Sequence, residues 1–148
     1  MSPIRSGPLF DTLGIAGVGL IGGSAGLAAK ARGIARRVIG IGRSSGRLAA
    51  AVQRGSVDEF TTDMEAAARE CDFLYLATPV DVIRQQILTL SSLKGLHLIV
   101  SDAGSAKREI VQAAAALPDG IRFVGGHPMT GSEQAGVEAA REDLFEGA

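Results

Sequence analysis

Cysteine is nearly absent from this sequence, which holds one thiol, Cys71, among 148 residues. A single cysteine cannot form a disulfide within the chain, which fits a protein of the reducing cytoplasm. We interpret Cys71 as a small buried apolar residue rather than a nucleophile. No metal site is predicted either.

The sequence also lacks an excess of positive charge. Its 15 lysines and arginines are balanced by 16 aspartates and glutamates, which gives a net charge of −1 and a pI of about 6.1. A protein that binds nucleic acid or an anionic membrane through its charge carries a basic patch or a basic amphipathic run. We therefore expect neither nucleic acid nor membrane as a partner.

One uncharged run could be mistaken for a membrane segment. It covers residues 13–29, LGIAGVGLIGGSAGLAA, and six of its residues are glycine. The run is slightly short for a helix that spans a bilayer. Glycine at this density is typical of a tight turn, so no membrane-spanning or signal segment is predicted.

What the sequence does contain is a regular alternation of apolar runs. Predicted strands cover 13–16, 38–41, 57–60, 73–77, 96–100 and 121–124, and predicted helices cover 20–32, 45–54, 64–70, 82–93 and 107–117. Strands that are apolar throughout are buried on both faces, and their alternation with helices indicates βαβ units. The sequence predicts an N-terminal tail at 1–11 and one dinucleotide-binding α/β domain at 12–148. Its sheet would be doubly wound, mostly parallel and of the Rossmann type, with ligands at the carboxyl ends of the strands.

The motif GVGLIG directly follows the first predicted strand and opens the first predicted helix. Gly17 permits the tight turn, Gly19 lets the backbone approach a pyrophosphate, and Gly22 lets helix and strand pack closely. The helix N-terminus adds free amide groups and a positive dipole end for the anion. The predicted cofactor contacts in this loop are Gly17, Gly19, Leu20, Ile21 and Gly22.

The second predicted strand ends without an acidic residue. A carboxylate about 20 residues beyond the glycine motif would hold the ribose 2′-hydroxyl of NAD, but Gly42 stands there. Arg43, Ser44 and Ser45 follow, and guanidinium and hydroxyl groups bind phosphate well. We therefore expect NADP, with NAD as the less favoured cofactor. Alternatively, Arg43 is only a solvated side chain and Ser45 only a helix cap.

The segment SDAGSAKRE follows the fifth predicted strand. Ser105 would cap the next helix if its function were purely structural. Lys107 and Arg108 fall in the first helical turn, where the helix dipole disfavours cations. A local preference that is broken at a strand's carboxyl end suggests a site, so Lys107 is a candidate. Both cations could also simply point to solvent.

Of the two histidines in the chain, only His127 follows a predicted strand. It lies in the glycine-rich stretch VGGHPMTG, and Pro128 restricts its backbone to an extended shape. Histidine titrates near neutral pH, as a general base must. A buried structural histidine is the alternative.

Five stretches resemble the prephenate and arogenate dehydrogenases of tyrosine biosynthesis. They are GVGLIGGS, VIGIGRS, ATPVDVI, SDAGSAKREIV and RFVGGHPMTGSEQAGVEAAREDLFEGA, and together they extend over nearly the whole chain from Leu13 to Ala148. The block GGHPMTGSE is specific to that family, although the family usually has alanine where Thr130 stands here.

The resemblance implies oxidative decarboxylation of a cyclohexadienol, prephenate or arogenate, with hydride transfer to nicotinamide. It implies that His127 accepts or hydrogen-bonds the proton of the ring hydroxyl. Ser105 would bond the same hydroxyl and help to position the nicotinamide. Thr78 and Pro79 would line the nicotinamide side.

The family also continues into a second, helical domain that closes the substrate cleft, forms the homodimer and supplies an arginine for the substrate carboxylate. We therefore expect this chain to be truncated and inactive alone. Two alternatives remain open. One is a β-hydroxyacid dehydrogenase or imine reductase of similar fold, which GGHPMTGSE argues against. The other is a nucleotide-binding module without catalysis, which His127 and Ser105 argue against in the whole protein.

Overall fold

The computed structural model describes residues 6–130 and 135–148. Within these residues it has six strands, β1 to β6, and five α-helices, α1 to α5, followed by one short 3-10 helix. In chain order the elements are β1 (Phe10–Ala16), α1 (Leu20–Ala31), β2 (Ala35–Ile41), α2 (Ser45–Arg54), β3 (Glu59–Thr61), α3 (Met64–Glu70), β4 (Phe73–Leu76), α4 (Val80–Ser91), β5 (Leu98–Asp102), α5 (Lys107–Ala114), β6 (Ile121–Val124) and the 3-10 helix (Val137–Ala139).

The strands form one parallel sheet in the order β3-β2-β1-β4-β5-β6. The chain begins in the middle of the sheet, winds outward to β3, and crosses back to β4 beside β1. The predicted doubly wound Rossmann fold is therefore confirmed, and the sheet is parallel throughout. β1 includes residues 10 and 11, which the sequence had assigned to the N-terminal tail.

Apolar side chains fill both faces of the sheet. On the face covered by α3, α4 and α5, the core includes Leu74, Leu76, Ile83, Ile87, Leu90, Val100 and Ile110, all fully buried. On the other face, which α1 and α2 cover, the core includes Leu13, Ile15, Val38 and Val57, together with Ala51 of α2. Burial of each large apolar side chain contributes about 1.5–3 kcal/mol, so these two layers provide the main stabilisation of the domain.

Cys71 lies against β1, where Gly14 leaves room for its sulfur; a Cβ on residue 14 would lie 2.7 Å from Cys71 Sγ. Burial raises the pKa of this thiol to about 12, so it stays protonated at neutral pH. The structure thus supports the interpretation of Cys71 as a buried apolar residue.

The last described residues return to the face covered by α1 and α2. The Arg141 backbone N–H donates to Ser24 Oγ at 2.9 Å, and the Arg54 guanidinium donates to the Ala140 carbonyl at 2.7 Å. Ser24 is fully buried, so its hydroxyl bonds to the C-terminal segment and not to solvent. The path after β6 is thereby attached to the first helix of the fold.

The glycines of α1 are explained by close packing. A Cβ on Gly26 would lie 2.0 Å from the Ser56 carbonyl oxygen, and a Cβ on Gly23 would lie 3.0 Å from the Ala140 side chain. The uncharged run 13–29 is therefore a strand, a turn and a tightly packed helix. No helix within residues 6–130 and 135–148 is long and apolar enough to cross a membrane.

We predict that Gly26→Ala lowers the free energy of unfolding by about 1–3 kcal/mol, because the added methyl group overlaps backbone that cannot move freely. Gly46→Ala is the matched control in α2, since the atom nearest to its Cβ is Ser44 Oγ at 4.0 Å. It should stabilise by up to about 1 kcal/mol through helix propensity. Urea denaturation followed by circular dichroism measures both. Equal stabilities for the two variants would contradict the packing explanation.

Candidate functional site

The site is built at the carboxyl ends of β1 and β4, where the winding of the sheet reverses. Gly17 has a φ of +85°, which a side chain would strain. A Cβ there would also lie 2.7 Å from Thr78 Cγ2 and 2.9 Å from the Ala77 carbonyl oxygen. The Gly17 N–H donates to the Ile41 carbonyl at 3.0 Å. The turn after β1 is thus enclosed between the ends of β2 and β4.

Gly22 and Gly19 complete this turn in different ways. A Cβ on Gly22 would lie 2.0 Å from the Gly17 carbonyl oxygen, so only glycine lets α1 start this close to β1. Around Gly19 there is open space: apart from its two chain neighbours, no described residue has a heavy atom within 4 Å of a Cβ built there. Gly19 is the N-cap of α1, and Leu20 and Ile21 begin the helix.

This geometry suits a bound anion. Gly19 has no side chain to cap α1, and no acidic residue lies in the first turn of the helix. Among the described residues, no side chain accepts from the first amide groups of the helix, and no carboxylate in the first turn offsets the positive dipole end. Gly17 lies at the tight turn, Gly19 leaves the approach to the helix open, and Gly22 allows the close packing of α1 on β1. These are the three features that a dinucleotide-binding loop requires.

Gly42, the residue directly after β2, lies beside this loop and has no side chain. The Gly42 N–H donates to the Thr61 carbonyl at 3.4 Å, and the atom nearest to a Cβ on residue 42 would be Leu48 Cδ2, at 3.5 Å. Ser44 caps α2, because its Oγ accepts from the Arg47 N–H at 3.3 Å. The alternative in which Ser45 is the cap is therefore wrong. Arg43, Ser44 and Ser45 are all exposed.

Thr78 and Pro79 follow β4 on the other side of the loop. Thr78 is half-buried, and its hydroxyl donates to Gln86 Oε1 in α4 at 2.8 Å, which fixes its orientation. Pro79 is exposed and is the N-cap of α4. Thr78 therefore faces the Gly17 turn through its methyl group.

A second group of polar contacts lies at the ends of β5 and β6, and we call it the Asp102 cluster: Asp102, Gly104, Lys107 and Gly126. The Asp102 carboxylate is fully buried. It accepts from the Gly104 N–H at 2.9 Å and from the Gly126 N–H at 3.2 Å, and it pairs with the Lys107 ammonium. Lys107 also donates to the Gly126 carbonyl. The cluster thus connects the end of β5 to the loop after β6.

The sequence singled out Lys107 but missed its partner. Asp102 ends an apolar strand, and Lys107 lies five residues further on, in the first turn of α5. An ion pair between them explains why a cation is tolerated at the start of the helix, where the dipole is unfavourable. Arg108, the second candidate, is exposed.

Tyr75 lies on β4, near the same cluster. Burial raises the pKa of its phenol to about 12, and the charge of Asp102 adds to the shift. The phenol therefore stays protonated at neutral pH, and Tyr75 is not a candidate base.

Ser105 and His127 flank the Asp102 cluster and are both exposed. Ala106, and not Ser105, is the N-cap of α5, so the capping function that the sequence allowed for Ser105 is wrong. Within residues 6–130 and 135–148, the hydrogen bonds include none to the side chain of Ser105 or His127. The GSE part of the GGHPMTGSE block, at 131–133, lies outside the described residues.

Comparison with known proteins identifies the family. The sequence profile described as "Prephenate dehydrogenase, nucleotide-binding domain" matches residues 25–148. The chain belongs to the prephenate dehydrogenase family. Prephenate dehydrogenase of Bacillus subtilis (strain 168) is 41% identical over 143 residues, which are 93% of this chain and 38% of that relative. This match favours the prephenate dehydrogenase family over the alternative of similar fold, a β-hydroxyacid dehydrogenase or imine reductase.

Solved structures of the family have the same fold. Prephenate dehydrogenase from Aquifex aeolicus, in complex with hydroxyphenyl propionate and NAD+, superposes with a TM-score of 0.84 at 30% identity; the match covers 99% of this chain and 50% of that one. Arogenate dehydrogenase from Synechocystis gives a TM-score of 0.80 at 33% identity, over 90% of this chain and 46% of that one. The chain thus spans half or less of these relatives, as their nucleotide-binding part.

We predict that Gly19→Ala folds normally yet binds nucleotide about 10-fold or more weakly. The added methyl group meets no protein atom within 4 Å, but it occupies the approach to the amides at the start of α1. Hydrogen bonds to a charged group are worth about 1.5–3 kcal/mol, and each 1.4 kcal/mol is a factor of ten in affinity.

Calorimetric titration of this variant with NAD+ and NADP+, beside its urea denaturation, measures affinity and stability separately. Gly26→Ala is the opposite control, since it should lose stability and keep its affinity while folded. Unchanged nucleotide affinity in Gly19→Ala would contradict the assignment of the loop.

Proposed function

We propose that this chain is the cofactor-binding part of an NADP-dependent dehydrogenase that oxidatively decarboxylates prephenate or arogenate. In this reaction a hydride leaves the ring carbon that bears the hydroxyl while the hydroxyl proton passes to a base. Carbon dioxide then departs from the resulting dienone, the ring becomes aromatic, and the phenolate so formed takes a proton back. The nicotinamide, when bound, supplies the hydride acceptor. The observation that carries the proposal is the open, uncapped start of α1 at Gly19, in a chain of the prephenate dehydrogenase family.

His127 is the proposed general base, and Ser105 the proposed hydrogen-bonding partner of the same ring hydroxyl. Both side chains are exposed and lie beside strands whose carboxyl ends share one edge of the sheet. Both also adjoin the Asp102 cluster, which ties the ends of β5 and β6 together. Thr78, at the neighbouring end of β4, and Pro79 would line the nicotinamide side.

The proposed preference for NADP depends on the tip of β2. No carboxylate stands at Gly42 to repel a 2′-phosphate, and the Arg43 guanidinium is exposed next to it. The Aquifex aeolicus relative was solved with NAD+, so the preference is proposed from Gly42 and Arg43 alone and not from that comparison. Ser44 and Ser45 would add hydroxyl groups to the same phosphate.

For the whole protein we propose a homodimer that assembles through sequence outside this domain, in the cytoplasm, with a small-molecule substrate. The relatives are about twice as long as this chain or longer, which leaves room for a domain that closes the cleft. Light scattering after gel filtration, on this chain and on the whole protein, measures the oligomeric state. A monomeric whole protein would contradict the proposed dimer.

The activity is tested by following NADPH absorbance with prephenate and with arogenate, on the whole protein that contains this chain. Release of carbon dioxide in equal amount to NADPH is expected with at least one of the two substrates. A whole protein that binds nucleotide but oxidises neither substrate would instead support a nucleotide-binding module without catalysis.

We predict that His127→Asn lowers kcat by about 10²- to 10⁴-fold, the usual range for loss of a general acid–base residue. The affinity for the cofactor should change little, because the glycine loop lies at β1 and β4. His97→Asn is the matched control, since His97 is exposed just before β5, at the opposite edge of the sheet. Steady-state kinetics of the whole protein decide the matter, and a His127→Asn enzyme with nearly normal kcat would remove His127 from the mechanism.

We predict that NADP binds about 10- to 150-fold more tightly than NAD, since a charge-assisted contact of Arg43 is worth about 1.5–3 kcal/mol. Gly42→Asp should reverse most of this preference by repulsion, and a Cβ at residue 42 would make only ordinary van der Waals contact with Leu48, at 3.5 Å or more. Arg43→Ala should weaken NADP alone. Calorimetric titration with both nucleotides measures the preference, and equal affinities in the unmodified chain would show that Arg43 is only a surface residue.

A further inference from the structure

We propose that Asp102, together with Lys107, is a positioning residue for both catalytic candidates. Its carboxylate binds the backbone of Gly104, the residue before Ser105, and the backbone of Gly126, the residue before His127. One buried group thus holds two neighbouring segments in register. The inference rests on the proposed function, because positioning matters only if these two side chains act on a substrate.

The contacts at Gly126 fix the peptide bond that leads into His127. The Gly126 N–H donates to Asp102 Oδ1 at 3.2 Å, and the Gly126 carbonyl accepts from the Lys107 ammonium. This carbonyl belongs to the planar peptide unit that contains the His127 nitrogen. With the carbonyl held in place, the direction of the His127 N–H is set and the freedom of its Cα is reduced, although the imidazole itself stays exposed.

The same carboxylate fixes the other segment. The Gly104 N–H donates to Asp102 Oδ2 at 2.9 Å, directly before the exposed Ser105. A Cβ on Gly104 would lie 2.4 Å from Ile110 Cδ1 and 3.0 Å from Asp102 Oδ2, and a Cβ on Gly126 would lie 3.0 Å from the Asp102 carbonyl oxygen. A side chain at either position would crowd Asp102, so the two glycines favour the close approach of both segments to it.

A purely structural explanation accounts poorly for a charge at this place. Asp102 is 0% exposed, and a buried carboxylate is costly unless it is paired and hydrogen-bonded. Apolar residues of similar volume often stabilise a core as well as a buried ion pair does, or better. β6 is an edge strand, so the loop that follows it has a neighbouring strand on one side only. The Asp102 cluster provides the attachment that this edge position lacks.

The test compares Asp102→Asn with Asp58→Asn. Asparagine keeps the shape but offers one acceptor oxygen in place of two and carries no charge. One of the two backbone amides therefore loses its acceptor, and the Lys107 ammonium loses its counter-charge. Asp58 is a matched control, because it pairs with Lys30 at 2.7 Å and accepts from the Val38 N–H at 2.8 Å, at the far side of the sheet. Lys107→Met removes the second half of the cluster and leaves the acid in place.

The first measurement is amide hydrogen exchange of this chain by NMR. In Asp102→Asn the Gly104 or Gly126 amide should exchange about 10- to 100-fold faster, while amides in β1 and β2 keep their rates. In Asp58→Asn, faster exchange should be confined to the amides around Val38. If Asp102→Asn does not fold, Lys107→Met tests the attachment from its other side. The Gly126 carbonyl then loses its donor, so the loop should loosen and the Gly126 amide should exchange faster even though Asp102 is still present. Unchanged exchange at both Gly104 and Gly126 in the folded variants would overturn the proposal.

The second measurement is turnover by the whole protein. Misplacement of a catalytic group by about 1 Å can cost roughly 100-fold, so kcat should fall about 10- to 100-fold in Asp102→Asn with unchanged affinity for NADP. Lys107→Arg should recover part of the kcat lost in Lys107→Met, and Asp58→Asn should keep normal kcat. A normal kcat in Asp102→Asn, or an equal loss of kcat and nucleotide affinity, would overturn the positioning role.

If the unmodified protein oxidises neither substrate, the proposed function fails, and the exchange measurement still decides whether Asp102 holds the two segments.

Discussion

The close approach of two backbone segments at the start of α1 governs the arrangement of the candidate site. A Cβ on residue 22 would lie 2.0 Å from the Gly17 carbonyl, so the helix can begin this near to β1 only because glycine stands there. The first amides of α1 are thereby brought to the gap between β1 and β4, where the winding of the sheet reverses. A bulkier residue would push the helix away from this gap and separate its terminus from Thr78 at the end of β4.

Much of the fold could be predicted because each strand is a short apolar run between turn residues. α2, α3 and β6 have the predicted bounds, and each of them begins or ends at a clear signal, such as Gly55 after α2. The sequence predicts β3 at 57–60, but the strand covers Glu59–Thr61. Val57 is apolar because it packs in the core under α1 and α2, and not because it belongs to a strand. Apolar character alone does not distinguish a strand from a buried turn.

The part of the site that could not be predicted involves polar residues inside the sheet. β5 was predicted to end at residue 100, where the apolar run ends, but pairing with β4 continues to Asp102, opposite Leu76. Hydrogen bonding between strand backbones does not depend on the side chains, so the change to polar residues gave no signal of the true end. Asp102 was missed for this reason, and its contact with Gly126, 24 residues away, is a product of the fold that no local pattern contains.

Gly42 has a consequence for how such domains diverge. The atoms nearest to a Cβ built on Gly42 are side-chain carbons of Leu48, at 3.5 Å or more. The hydrogen bond from the Gly42 N–H to Thr61 of β3 involves backbone atoms alone. The residue at this position is therefore largely independent of core packing, unlike Gly17 or Gly22. Selection can therefore change residue 42 without a matching change in the core, so the end of β2 can vary among domains that share the same packed interior.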